Sequence, residues 1–280
     1  LEAMEQMVAL FYQHKGLTDQ EVPEEYGTSN SLPVSRLNIR YMRMFAGAFM
    51  YAGGLHIGIE WESIPGLAAS QPIVSDNGKY VSGHLFGWGI AHEIGHIINQ
   101  PDYAIAEITN NYFSILAQAD ETNEKVRFKY ADVYDKVTSG TKGKAPSVFT
   151  SLAMYWQLHL AYDNGYNYKT YDNYTDQFNN LFFARVDAYA RNTSIAPNGL
   201  SLDGADKDNK LMRLACAAAQ KNLLSFFEKW GMIPDDTTRA YAALFPEETR
   251  NICYITDEAR AYRAEGKSDA ASGSIVNVEM

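Results

Sequence analysis

Two periodicities divide the chain into an early part with strands and a later part rich in helices. Apolar and polar residues alternate over 36–41 and again over 55–61, which predicts two half-buried strands. The glycine-rich residues 46–54 between them predict a turn, a bulge or a close approach of another chain. From residue 85 onward the hydrophobic positions recur every three or four residues, which predicts helices.

The first helix of the later part ends at the helix-terminating sequence Asn99-Gln100-Pro101. The remaining helices are predicted at about 104–117, 146–162, 174–191, 206–230 and 236–245.

Strands followed by helices favour an α+β fold. We expect a single domain over 1–265, divided into an α+β lobe at 1–120 and a helical lobe at 121–265. The Gly-, Ser- and Ala-rich residues 266–280 are expected to form a tail or linker.

The balance of charges excludes one class of partner. The 280 residues include 24 Lys and Arg against 34 Asp and Glu, a net charge of −10, and no basic cluster occurs along the chain. The chain therefore lacks the electrostatic footprint of a nucleic-acid-binding protein. Its longest uncharged apolar stretch, residues 44–55, is short and contains glycines, so no membrane span is expected.

The first residue and the cysteines leave the compartment open. Leu1 leads directly into a helical pattern, so no signal peptide is visible, and we expect an excised fragment of a longer protein. Cys216 and Cys253 form no CxxC motif, and the sequence does not decide whether they pair.

One motif carries chemistry: His92-Glu93-Ile94-Gly95-His96, an HExxH sequence. On a helix, residues four apart lie on one face, so His92 and His96 can bind a single ion. Neutral imidazole is a good zinc ligand, and Glu93 would accept the proton of a metal-activated water. With only six histidines in 280 residues, this motif rarely arises by chance.

A third protein ligand has two candidates. Asp102 occupies the last ligand position of an extended motif in which Asn99 replaces the usual glycine. Glu107 would instead begin the following helix, and an antiparallel turn would bring it back to His96. Asn111, one helical turn further on, would hold the carboxylate or an imidazole in place.

These residues resemble a known family, the enhancin-like zinc metallopeptidases, which include mucin-degrading members from gut bacteria. The likeness rests on GWGIAHEIGH at 87–96 followed by EITNN at 107–111, and it extends to MYAG at 50–53, MYWQL at 154–158 and FFEKWG at 226–231. The resemblance implies a zincin-like catalytic domain that binds Zn²⁺ through His92, His96 and Glu107, with Glu93 as general base. It makes Glu107 the favoured third ligand and Asp102 the rival.

The resemblance also implies a biological setting. Such proteins are secreted or on the cell surface, are often joined to carbohydrate-binding domains, and cleave the peptide backbone of O-glycosylated, mucin-type glycoproteins. Two alternatives stay open: a non-catalytic glycoprotein-binding module that keeps a zinc site, and a zinc exopeptidase acting on small peptides. The residue that stabilises the oxyanion is not identified, since nineteen tyrosines and His56, His84 and His159 are all available.

Overall fold

A small sheet lies beside the helix that carries the HExxH motif. The computed structural model describes residues 2–27, 29–33, 37–44, 47–69, 74–76, 79–81, 88–118, 127–163 and 171–256. The strands are β1 (Asn38–Tyr41), β2 (Met50–Gly53), β3 (His56–Ile59), β4 (Val74–Asp76) and β5 (Lys79–Val81). The helices are α1 (Glu2–His14), α2 (Ile64–Ala68), α3 (Trp88–Ile98), α4 (Asn111–Gln118), α5 (Tyr130–Thr138), α6 (Val148–Tyr162), α7 (Tyr174–Asn180), α8 (Phe182–Arg191), α9 (Lys207–Ala219), α10 (Leu224–Lys229) and α11 (Asp236–Ala242).

The first three strands form one mixed sheet in the order β1-β3-β2. Strand β1 runs parallel to β3, whereas β2 is antiparallel to β3, and β4 pairs with β5 in a separate hairpin. The central strand β3 buries Ile57 and Ile59, as expected for the middle of a sheet with one face against the core. The two predicted strands are therefore present, and the glycine-rich stretch between them contributes an additional strand, β2.

Helix α3 packs against β2 on one side and against α4 on the other. Its apolar residues Ile90 and Ile94 are buried, which accounts for the helical spacing seen in the sequence. At Gly89 a methyl group would lie 2.7 Å from the sulfur of Met50, so glycine at this position lets α3 approach β2 closely. The sheet and the HExxH helix are thus in direct contact.

Three predicted helices differ from the observed ones. The helix predicted at 104–117 begins only at Asn111, because the preceding residues form turns. The helix predicted at 174–191 is interrupted at Leu181, whose φ of −110° and ψ of 115° are extended. The helix predicted at 206–230 is interrupted after α9, where Gln220 adopts a left-handed φ of 50°.

One hydrophobic core links the N-terminal helix, the sheet and the C-terminal helices. Its largest fully buried side chains include Phe11, Tyr155, Trp156, Tyr174, Phe182 and Phe227. Both cysteines are buried and free. The predicted tail at 266–280 lies outside the described residues, and the domain limits stay predictions.

A carboxylate in the C-terminal part is held by strong donors from two side chains. Glu248 accepts hydrogen bonds from the Tyr162 hydroxyl at 2.6 Å and from Nη2 and Nε of Arg250 at 2.8 and 3.0 Å. Burial raises the pKa of Glu248, but the hydrogen bonds from Arg250 and Tyr162 outweigh burial and hold the pKa below its ordinary value.

Among the described residues, no helix is long and apolar enough to cross a bilayer.

Candidate metal centre

The two histidines of the HExxH motif face each other on α3. Their Nε2 atoms lie 3.1 Å apart, and the side chains of His92 and His96 are 17% and 26% exposed. This arrangement follows from the spacing of four residues, which places both rings on one helix face. The two rings therefore offer their nitrogens to a common point that solvent can reach.

Glu107 brings its carboxylate to the same point. Its Oε2 lies 3.2 Å from Nε2 of His92, and its Oε1 lies 3.1 Å from Nε2 of His96. A tetrahedral zinc ion with ligands at 2.0–2.1 Å separates them by about 3.3 Å. The three separations fit such an ion, and the donor set of two imidazoles and a carboxylate matches the chemistry that zinc prefers.

The backbone at Glu107 is unusual for a residue with a side chain. Its φ is 66°, in the left-handed region that favours glycine. Glu107 therefore lies in the turn that leads into α4, and the prediction that it begins the helix is wrong. Backbone strain at such a position is found where function requires a particular side-chain direction.

Gly95 lets this turn approach α3. A methyl group on Gly95 would lie 2.5 Å from the carbonyl oxygen of Asn110, a backbone atom that cannot easily move. The Asn110 side chain lies against the same helix, with its Nδ2 3.1 Å from Nε2 of His96 and 3.4 Å from the carbonyl oxygen of His92. The close contact holds the Glu107 turn beside the two histidines.

Asn111 is hydrogen-bonded to both sides of the site. Its Oδ1 lies 2.9 Å from Nε1 of Trp88 and 2.7 Å from Nδ1 of His92, and its Nδ2 donates to the carbonyl oxygen of Glu107 at 2.6 Å. Because the indole N–H can only donate, Oδ1 is an acceptor, and Nδ1 of His92 must carry its proton. In the neutral ring, Nε2 of His92, which lies 3.2 Å from Oε2 of Glu107, then carries the lone pair that can bind a metal.

Glu93 lies beside the histidines but points toward the sheet. It is 8% exposed, and the backbone N–H of Ala52 in β2 donates to its carboxylate. Burial raises the pKa of Glu93 above its ordinary value, and the charge of Glu107 adds to this; His92 and the Ala52 N–H oppose the shift. Burial and His92 lower the pKa of His96, against the effect of Glu107.

The rival ligand is engaged elsewhere. Oδ1 of Asp102 forms an ion pair with Nζ of Lys210 at 2.8 Å, and Glu107 takes the position beside the histidines. His56 is 3.0 Å from the Tyr51 hydroxyl, and His159 is buried in a separate cluster. His84 lies outside the described residues.

Sequence reasoning missed three contributors to this site: Trp88, Asn110 and the backbone of Ala52. Trp88 and Asn110 lie within the two family-like stretches at 87–96 and 107–111, so that resemblance was the available signal. The contact between Ala52 and Glu93 joins two elements distant in sequence, and no local pattern indicates it.

The fold and the site together define a zincin-like domain of the α+β class, with its HExxH helix between a small sheet and the helices. The chain belongs to the Peptidase M60 family, enhancin and enhancin-like, whose model matches residues 20–231. A comparison with curated proteins gave no match.

Solved structures support the fold. The M60 catalytic domain of Clostridium perfringens ZmpC, in complex with the sialyl T antigen, is 22% identical, with a TM-score of 0.62. The ZmpB metallopeptidase of the same organism is 25% identical, also with a TM-score of 0.62. Each alignment covers 92% of this chain and 45% of the solved chain, so this chain spans less than half the length of these relatives. A functionally unknown conserved protein from Bacillus anthracis is 20% identical over 92% of this chain and 48% of its own, with a TM-score of 0.63.

Proposed function

We propose that this chain is the catalytic domain of a zinc-dependent endopeptidase that cleaves the peptide backbone of mucin-type, O-glycosylated proteins. The observation that carries the proposal is the convergence of His92, His96 and Glu107 to within 3.2 Å of one another, next to a buried Glu93. Family membership supports the metallopeptidase activity, and the donor set supports zinc as the metal.

In this proposal His92, His96 and Glu107 hold the zinc ion, and Asn111 orients His92. A zinc ion bound by these residues would supply Lewis-acid chemistry, polarising the scissile carbonyl and lowering the pKa of water at the site. Glu93 accepts a proton from the attacking water and donates it to the leaving amine.

Strand β2 gives a route for binding the substrate backbone. It lies at the edge of the β1-β3-β2 sheet and contacts both α3 and the Glu93 carboxylate. An extended peptide that pairs with such an edge is held through main-chain hydrogen bonds, whatever its side chains. We infer that substrate lies along β2 with its scissile bond next to Glu93.

The proposed substrate class rests on relatives. The ZmpC domain is in complex with the sialyl T antigen, and another metallopeptidase, 18% identical with a TM-score of 0.58, is in complex with the Tn antigen. A ZmpB structure carries two CBM51 domains beside its M60 domain. We infer a secreted or cell-surface protein with flanking carbohydrate-binding domains.

The test is mass spectrometry of products from one synthetic peptide prepared with and without an O-linked glycan. Internal cleavage of the glycosylated peptide that stops with a chelator and with Glu93→Gln supports the proposal. The zinc that a chelator removes from the folded protein should be unchanged in Glu93→Gln but lost in Glu107→Ala. Asp102→Asn is the matched control and should keep both zinc and activity.

Other outcomes point to other functions. Removal of terminal residues only, from either peptide, would indicate a zinc exopeptidase. Retention of the glycopeptide without any cleavage at equimolar protein would indicate a glycoprotein-binding module. Full activity in Glu93→Gln would refute the role of Glu93.

A further inference from the structure

A second group of potential metal ligands lies in the core. It comprises His14 at the end of α1, His159 in the last turn of α6, Asp163 directly after α6, and Tyr112 in α4, and we refer to it as the buried histidine cluster. His14, His159 and Asp163 are each 1% exposed and Tyr112 is 5% exposed. The proposed peptidase mechanism uses none of them.

The polar atoms of the cluster are spaced like the ligands of one ion. The Tyr112 hydroxyl lies 3.3 Å from Nδ1 of His14 and 3.0 Å from Nδ1 of His159. Oδ2 of Asp163 lies 2.7 Å from Nδ1 of His159 and 3.9 Å from Nδ1 of His14. These values lie on either side of the separation of about 3.3 Å between the ligands of a tetrahedral zinc ion.

The two oxygens of the Asp163 carboxylate differ in their hydrogen bonding. Oδ1 of Asp163 accepts the backbone N–H of Phe182 at 2.7 Å. Oδ2, although close to His159, has no hydrogen-bond partner of acceptable geometry among the described residues. A fully buried carboxylate oxygen requires a compensating partner. An ion held between Oδ2 of Asp163 and Nδ1 of His159, which lie 2.7 Å apart, would supply that partner.

We propose that the buried histidine cluster is a structural zinc site, with His14, His159 and Asp163 as ligands and the Tyr112 hydroxyl at the fourth position. Imidazole nitrogens and a carboxylate oxygen are ligands that zinc prefers, and a site closed by four protein groups is typical of a structural ion. The ion ties together α1, α4 and α6. Since Tyr112 follows Asn111 in α4, the site also fixes the helix that supports His92.

The two zinc sites are expected to exchange at different rates. His92 and His96 are partly exposed, so a chelator can remove their ion from the folded protein. The cluster is buried, so its ion leaves only when the surrounding helices open. Protein refolded with zinc and then dialysed against EDTA should therefore keep about one zinc ion per chain.

The experiment uses the variant His92→Ala/His96→Ala, which lacks the partly exposed pair. It is refolded with zinc sulfate and dialysed against EDTA, and its zinc is counted by mass spectrometry. We expect about one zinc ion per chain, falling below about 0.1 when the isosteric change Asp163→Asn is added. Circular dichroism shows whether both variants keep their helices.

Two results would overturn the proposal. The first is less than about 0.1 zinc ion per chain in folded His92→Ala/His96→Ala. The second is undiminished zinc after Asp163→Asn. If the protein with Asp163→Asn does not fold, the zinc content of His92→Ala/His96→Ala alone still tests the proposal. Neither result bears on the peptidase activity, which is assayed separately.

Discussion

Replacing Asn111 by alanine tests how the metal centre is held together. The change removes the acceptor of Trp88 and His92 and the donor to the Glu107 carbonyl, which are hydrogen bonds of 2.6–2.9 Å. The indole N–H of Trp88 is left buried without its partner, which costs about 1–3 kcal/mol of folding free energy. Loss of a group that orients a metal-binding histidine weakens metal binding about 10- to 100-fold, or about 1.4–2.7 kcal/mol.

The assay is competition for zinc with a chromophoric chelator, together with unfolding by urea. Asn30→Ala is the matched control, because the Asn30 side chain is fully buried and makes two comparable bonds, to the Tyr26 carbonyl and from Arg191. Both variants should lose stability, but only Asn111→Ala should bind zinc more weakly at the site formed by His92, His96 and Glu107. Equal zinc affinity in the two variants would refute the role assigned to Asn111.

Three further predictions concern packing, pH and thiol reactivity. Gly95→Ala should lower zinc affinity and activity in peptide hydrolysis, because the new methyl group presses on the Asn110 carbonyl; wild-type activity would contradict the close contact. The pKa of Glu248 is lower in the folded protein than in the unfolded chain, so its contribution to stability is complete above about pH 4.3 and is lost as the pH falls through the folded value. Below about pH 4.3 the unfolding free energy of Glu248→Gln should therefore fall less steeply with decreasing pH than that of the wild type. An equal pH dependence in the two proteins would contradict the lowered pKa of Glu248. Burial raises the pKa of Cys216 to about 12, so its thiol should react with Ellman's reagent only after urea unfolding, and rapid reaction in the folded protein would refute this.

The sequence predicts best those helices and strands whose buried residues recur at a regular spacing. Helix α3 shows its isoleucines every three or four residues and ends near Pro101, and β3 alternates along a half-buried face. The HExxH spacing needs only helix geometry, so the positions of His92 and His96 could be predicted. The class of fold and the family followed from these same residues.

Other features depend on contacts between distant parts of the chain. Residues 104–117 have a helical pattern, yet Glu107 adopts a left-handed φ in a turn whose next residues, at Asn110, pack closely against Gly95. Similarly, the helical pattern continues through Gln220, yet the helix ends there in a left-handed conformation, which glycine adopts more often than glutamine. Helix propensity does not predict the backbone conformation at positions where tertiary packing determines it.

The turn that carries Glu107 has a consequence for how the domain tolerates changes in chain length. The carboxylate is anchored from its C-terminal side, by the bond between Asn111 and the Glu107 carbonyl, and not by the register of a helix running back to His96. Residues inserted directly after the exposed Pro101 would lengthen the connection that follows α3 and leave this anchor unchanged, provided that Tyr103 keeps its buried position. Libraries that vary the chain length at Pro101 would therefore change the surface there while keeping the bond between Asn111 and the Glu107 carbonyl.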